Sequence, residues 1–372
     1  MIMGSVHTPK NEILNDVKNI LIIQLGDIGD VVWTIPTLRA VRERCPDARL
    51  SVLLRGGSGN LLQKEPFIYK IFEVKHHGGN IYFDVLGQVR LIKDLRREHF
   101  DLVVDMRADD RGAIMSYMTG APIRVSQFYA NVPFWRNRLF THLFNSPGRK
   151  VRGASEQSLH IVRELGIDTV DITPRLCASE TRMVRAREIL LFQGISDTTR
   201  FISLNPFSRW SYKEWDYDKW VQIINWLWNN YSTATVIVGT DEERTRAETM
   251  LRKCAGPVFN LAGKTRLGEL AGILHLSSLH IGVDSAAPHI AAAVGTPTIT
   301  IYGPSDWYDW APVGDMHKVV LPDLACVPCH KKGCDDGGWS RCLEELTVDQ
   351  VKKVVQEFLE GPFHSSVGLR KV

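Results

Sequence analysis

Short apolar runs alternate along this chain with longer stretches in which apolar residues recur every three or four positions. Residues 19–25, Asn-Ile-Leu-Ile-Ile-Gln-Leu, form a nearly continuous apolar run, the pattern of a parallel strand buried on both faces. A glycine-bearing turn follows at 26–30. Residues 31–44 then place Val31, Ile35, Leu38 and Val41 on one helical face. Further strands are predicted at 50–54, 71–74 and 101–105, with a helix at 85–98.

The same grammar restarts after residue 200, with strands at 201–205, 234–238 and 258–261 and helices at 216–229, 242–254 and 267–276. Strand and helix alternation of this kind predicts parallel sheets with right-handed crossovers. The expected fold class is α/β, with two Rossmann-like domains facing each other across a cleft. The domains are predicted at 1–178 and 179–345, and a last helix and tail at 346–372. Thr347 and Gln350 form a capping box for that helix.

The most informative stretch is 278–304. An apolar run ends at Asp284, small residues lead into a short helix over 286–294, and Gly295 and Pro297 precede a β-branched run. Ser285 suits an N-cap position and Pro288 is tolerated in the first turn. Small side chains at Ser285, Ala286 and Ala287 let a ligand approach the free N–H groups, so the helix start predicts a phosphate site. Asp284 stands where a hydroxyl could be bound, or where it simply caps the helix, and His289 lies one turn on, as a neighbour of the ligand or an ordinary packed histidine.

Two other strand-to-helix loops carry chemistry. Residues 26–30 present Asp27 and Asp30, each able to act as a general base or to cap the following helix. The G-x-G-x-x-G fingerprint of dinucleotide sites is absent there. Residues 205–215 gather Ser208, Arg209 and Lys213, a hydroxyl and two cations suited to a diphosphate. Asp241, Glu242 and Glu243 follow the next strand, where a carboxylate could hold ribose hydroxyls.

Composition narrows the class. The chain has 372 residues, 44% hydrophobic and 23% charged, which is ordinary for a globular protein of two domains. The first twenty residues contain no sustained apolar region and no uncharged run reaches membrane-spanning length, so a cytoplasmic protein is expected. Net charge is only +3, yet from Arg111 to Arg152 there are seven basic residues and no Asp or Glu, with aromatics interleaved. That segment is either a surface for anionic partners or a solvated face over an ordinary core. Cys326, Cys329, Cys334 and Cys342, four of the seven cysteines, are spaced for a structural zinc site or for reduced thiols.

Taken together, Gln24 to Val31 with Thr34-Ile35-Pro36, Asn205-Pro206 to Trp215, Gly282 to Ser285 with Pro288-His289, and Tyr302-Gly303-Pro304 resemble glycosyltransferase family 9, the lipopolysaccharide heptosyltransferases. The resemblance spans about residues 19 to 359. It implies a GT-B fold, inverting transfer of heptose from ADP-heptose to a lipid-linked, anionic core oligosaccharide, and no metal required for catalysis. It places the acceptor on the N-terminal domain and the donor on the C-terminal one. Association with the inner membrane surface fits such an acceptor, and nucleic acid is not an expected partner.

Residue by residue, the resemblance implies Asp30 as general base. Ser208, Lys213, Ser285, Ala286 and Ala287 fall on the donor diphosphate, Asp284 and His289 near the sugar, one of Asp241, Glu242 and Glu243 on the ribose, and Thr265 near the adenine. Asp27, Gly29, Arg124, Arg136 and Arg138 are the acceptor-side candidates. The chain departs from the family pattern at Phe207 and at Ala286-Ala287.

Overall fold

The buried runs assemble into two separate parallel sheets. The computed structural model describes residues 13–14, 16–74, 81–107, 109–145 and 153–361. The chain divides into two units, Met1–Pro174 and Arg175–Val372.

In the first unit the order is β1 (Asn19–Gln24), α1 (Ile28–Arg44), β2 (Arg49–Arg55), α2 (Gly59–Leu62), β3 (Lys70–Val74), α3 (Ile81–Arg97), β4 (Leu102–Asp105), α4 (Asp110–Met118), β5 (Ile123–Gln127), β6 (His142–Phe144) and α5 (Ala154–Arg163). The sheet order is β3-β2-β1-β4-β5-β6, and its five pairings are all parallel. Ile20, Leu21, Ile22 and Ile23 are fully buried, which explains why β1 has no polar face.

The second unit runs α6 (Glu180–Phe192), β7 (Phe201–Asn205), α7 (Tyr217–Tyr231), β8 (Ala234–Ile237), α8 (Arg244–Leu251), β9 (Val258–Asn260), α9 (Leu267–Leu276), β10 (Leu279–Val283), α10 (Ala286–Ala293), β11 (Thr298–Ile301), α11 (Trp307–Trp310), β12 (His317–Val320), α12 (Arg341–Glu345) and α13 (Val348–Glu360). Its sheet order is β12-β11-β10-β7-β8-β9.

Both orders are the same permutation, in which the first strand of the unit lies beside the fourth. In each sheet the direction of chain travel reverses there, between β1 and β4 and between β7 and β10. Open α/β sheets bind ligands outside the carboxyl ends of the strands at such a switch point. One core of the second unit packs Leu204, Trp215, Trp220, Ile281 and Ile301 against Val351 and Val355 of α13. Trp215 and Trp220 meet edge to face at 5.1 Å, and Trp215 Nε1 donates to the carbonyl of Leu346.

Candidate active site

The turn after β1 is fixed by its neighbours in sequence. The buried amide of Gln24 donates to Thr34 Oγ1 and accepts from the N–H of Gly26, and Thr34 in turn donates to the carbonyl of Asp30. Asp30, in the first turn of α1, bends back so that its Oδ2 accepts from the N–H of Asp27 at 2.8 Å. Arg107, just past the end of β4, reaches the same oxygen at 2.7 Å. The switch point of the first unit is thus spanned by an ion pair.

Gly26 lies beneath that pair. A Cβ there would stand 2.7 Å from Arg107 Nη1 and closer still to Asp30 Oδ2, so the site requires an absent side chain. Burial raises the pKa of Asp30, opposed by Arg107 and by the hydrogen bond from the Asp27 backbone. Asp27 is the N-cap of α1, in a capping box with Asp30, and its Oδ1 lies 2.9 Å from Arg55 Nη1 at the end of β2. Gly29 is buried in α1.

The second unit repeats the arrangement with the signs exchanged. Lys213, in the connection after β7, places Nζ 2.6 Å from Oδ2 of Asp284 at the end of β10. Ser208 Oγ donates to the carbonyl of Asp284 at 3.3 Å. Its N–H is held by Glu214, which also binds Arg246 and accepts from Tyr217 Oη. Ala286 and Ala287 form the first turn of α10, and His289 follows, buried. Burial is the largest influence on His289 and lowers its pKa to about 4; Asp284 raises it and Lys213 lowers it further.

Several expectations change here. Ser285 occupies the N-cap position, but its hydroxyl donates to Asn205 Oδ1 at 2.7 Å and makes no cap hydrogen bond. Asn205 in turn donates to the carbonyl of Val238, so it links three strand ends. Glu243 is buried and accepts from the N–H of Thr240 at 2.7 Å, with Arg246 3.8 Å away. Asp241 and Glu242 are the exposed carboxylates of that trio. Asp241 lies beside Gly263, whose N–H donates to the carbonyl of Gly239, so the loop bearing Thr265 adjoins the loop bearing Asp241. Phe207 is fully buried, edge to face with Tyr217 and covered by Arg246, and its bulk belongs to the core.

The basic segment is partly structural. Arg124 donates to the carbonyls of Leu139 and Ala121 and lies over Tyr117. Arg136 lies over Tyr129, with Asp110 at 3.8 Å. Arg138 is exposed and lies over Phe134, which is 76% exposed. Arg149, Lys150 and Arg152 lie outside the described residues.

Cys326, Cys329, Cys334 and Cys342 are all free thiols, and no three or more Cys, His, Asp or Glu among the described residues are grouped to hold a metal ion. Burial pushes Cys342 up to about 11, and the sulfurs of Cys326, Cys329 and Cys334 add to the rise. The segment braces the loop after β7, since Ser211 Oγ donates to the carbonyl of Gly338 and Ser340 Oγ to that of Tyr212.

Sequence reasoning missed Arg107, Asn205 and Glu214. Arg107 lies 77 positions from its partner and no local pattern marks it. Asn205 and Glu214 were within motifs already singled out, where a buried amide and a carboxylate beside a tryptophan were available signals.

Paired Rossmann-like units with polar constellations at both switch points are the architecture of GT-B glycosyltransferases. A glycosyltransferase family 9 structure from Veillonella parvula superposes with a TM-score of 0.76 at 20% identity, covering 92% of this chain and 97% of that one. The ADP-heptose lipopolysaccharide heptosyltransferase II of E. coli gives 0.74 at 18% identity, over 92% and 98%. In sequence, the lipopolysaccharide heptosyltransferase 3 of Escherichia coli is 30% identical over 288 residues, 76% of this chain and 83% of the relative. Residues 88–340 match the family model for glycosyltransferase family 9 (heptosyltransferase), and the chain belongs to that family.

Proposed function

We propose that the protein transfers heptose from ADP-heptose to a hydroxyl of a lipopolysaccharide-core acceptor, with inversion and without a required metal ion. The observation that carries this reading is the Lys213–Asp284 pair at the start of α10, beside Ser208 and the small residues Ala286 and Ala287. A lysine, a hydroxyl and a helix N-terminus suit a leaving diphosphate, because each stabilises negative charge without reorganising water. The relatives named for ADP-heptose and lipopolysaccharide support the choice of donor and acceptor.

In the proposed reaction Asp30 takes the proton of the acceptor hydroxyl. The hydroxyl oxygen bonds to the anomeric carbon from the face opposite the nucleotide, and the bond to the diphosphate breaks with its electron pair leaving on ADP. Lys213, Ser208 and the N–H groups at 285–287 hold the departing charge, Asp284 and His289 neighbour the sugar, Asp241 or Glu242 binds the ribose, and Thr265 adjoins the base. The second unit would hold the donor and the first the acceptor.

Among the described residues no helix is long and apolar enough to cross a membrane. We place the enzyme at the cytoplasmic face of the inner membrane, where exposed Phe134, Tyr117 and Arg138 suit an anionic lipid surface.

The test is calorimetric binding of ADP, UDP and GDP without metal, followed by transfer from ADP-heptose to lipopolysaccharide core by wild type and Asp30→Asn. Selective ADP binding, with transfer abolished by Asp30→Asn while ADP affinity persists, is the expected result. Preference for UDP or GDP would overturn the donor, and retained turnover would remove Asp30 as the base.

A further inference from the structure

Two hydrogen-bond donors meet one oxygen of Asp30. The Asp27 N–H lies 2.8 Å and Arg107 Nη1 2.7 Å from Oδ2, and Oδ1 has no hydrogen bond among the described residues. The carboxylate is therefore held by one edge, with the other oxygen presented. Its holder is fixed in turn. Arg107 N–H donates to Oδ1 of the buried Asp105 at 3.3 Å, and Arg107 Nε lies 3.5 Å from Asp109 Oδ2. Asp105 ends β4, whose register against β1 sets Ile23 opposite Asp105. The guanidinium is carried by the strand that neighbours the strand leading to Asp30.

We propose that Arg107 is a positioning residue for sugar transfer, clamping Oδ2 of Asp30 so that Oδ1 faces the incoming hydroxyl and the carboxylate stays ionised to accept its proton. The inference rests on Asp30 being the base, as argued above. Arg107 does not touch the reacting atoms; it acts through Asp30. Gly26 is the space the clamp occupies, since the two side chains cross directly over its backbone.

A base in this position has conflicting needs. Burial raises the Asp30 pKa and so favours the protonated, inert form; an adjacent cation counters that. The other charges facing the site are Asp109 beside Arg107, Asp27 in the same turn, and Arg55, which neutralises Asp27 from β2. A lysine at 107 would supply the charge but not the planar fork that fixes direction.

The experiment compares wild type, Arg107→Met and Arg107→Lys, with circular dichroism to establish folding. The Asp30 carboxyl is followed by ¹³C NMR titration, identified by its absence in Asp30→Asn, and kcat/KM is measured against pH. In Arg107→Met the Asp30 titration and the acidic limb of the profile should both move up by about one pH unit or more. kcat should fall about 10- to 100-fold, with the KM for the donor unchanged. Arg107→Lys should restore most of the titration but only part of kcat.

An Asp30 titration identical in wild type and Arg107→Met would overturn the proposal, as would equal losses in both variants with no movement of the acidic limb, which mark a merely structural arginine. If Arg107→Met fails to fold, Arg107→Gln, which also removes the charge, takes its place in the same titration. The NMR readout needs no turnover, so a wild type that transfers nothing from ADP-heptose would sink the proposed function and leave this inference standing or falling on the titration.

Discussion

Lys213 Nζ and Asp284 Oδ2 lie 2.6 Å apart, joining the loops that leave the two strands flanking the switch point of the second unit. A diphosphate bound as proposed would have to share Lys213 with that carboxylate. Lys213→Ala should weaken ADP binding by about 10- to 100-fold, the loss of a charge-assisted hydrogen bond of about 1.5 to 3 kcal/mol. Asp284→Asn should leave ADP affinity unchanged or higher, because it frees the lysine and removes a negative charge beside the phosphates. Calorimetry on both variants checks this, and equal weakening would show that the pair serves the fold and not the ligand.

Acid should destabilise the second unit through buried histidines. Burial lowers His280 to about 3, and His289 and His317 to about 4, from an ordinary 6.5. These groups are neutral in the folded chain, while the unfolded chain protonates them below about 6.5. Their contribution is fully present above that pH and is lost as pH falls towards 4, at up to about 1.4 kcal/mol per pH unit for each histidine. Urea unfolding at pH 7 and pH 5 should show a lower midpoint at pH 5, and His289→Gln should reduce that difference. An unchanged difference in the variant would exclude His289 as a contributor.

Much of this fold could be read in the sequence because strands buried on both faces leave long apolar runs. β1, β4, β7, β10 and β11 are of that kind, and α9 begins and ends where its periodicity predicts. β5 and β6 were not predicted. β5 carries Arg124, Ser126 and Gln127 in five residues, and β6 has only three residues, all half-buried, so neither presents an apolar run. α6 escaped notice because its few inward positions include Arg182, which is buried by donating to the carbonyl of Cys177. The candidate site was legible where chemistry is local, as with Asp30, Lys213 and Asp284, which the structure sets at the two switch points. What holds those residues is not local. Arg107, Asn205 and Arg246 act across 32 to 77 positions, at distances only the sheet order brings together.

The three carboxylates after β8 should separate by role. Glu243 is buried and holds the Gly239–Thr240 turn, where a Cβ on Gly239 would stand 2.7 Å from its Oε2, so Glu243→Gln should lower the thermal midpoint. Asp241→Ala and Glu242→Ala remove exposed groups and should leave stability nearly unchanged. If one of them binds the ribose, that variant alone should lose about tenfold in ADP affinity, roughly one hydrogen bond to a charged group. Thermal melts and calorimetry on the three variants test the division. A loss of ADP binding confined to Glu243→Gln, with stability intact, would reverse it.

Gly26→Ala should separate catalysis from folding. The new methyl group enters the space where Asp30 and Arg107 cross, and it conflicts with Asp30 Cβ at 2.7 Å as well as with the ends of both side chains. Asp30 cannot relieve this by rotation of its carboxylate alone, so the carboxylate must shift while the β1 core beneath it, buried at Ile20 to Ile23, is untouched. A misplacement on the order of 1 Å lowers turnover by about 100-fold where the reacting groups must be aligned. ADP affinity should stay at the wild-type value, because Lys213, Ser208 and α10 belong to the other unit. Steady-state kinetics with calorimetry on the same preparation decide the matter: wild-type kcat in Gly26→Ala would mean that the position of Asp30 is not critical, and a parallel loss of ADP binding would mean that the substitution disturbs more than the turn.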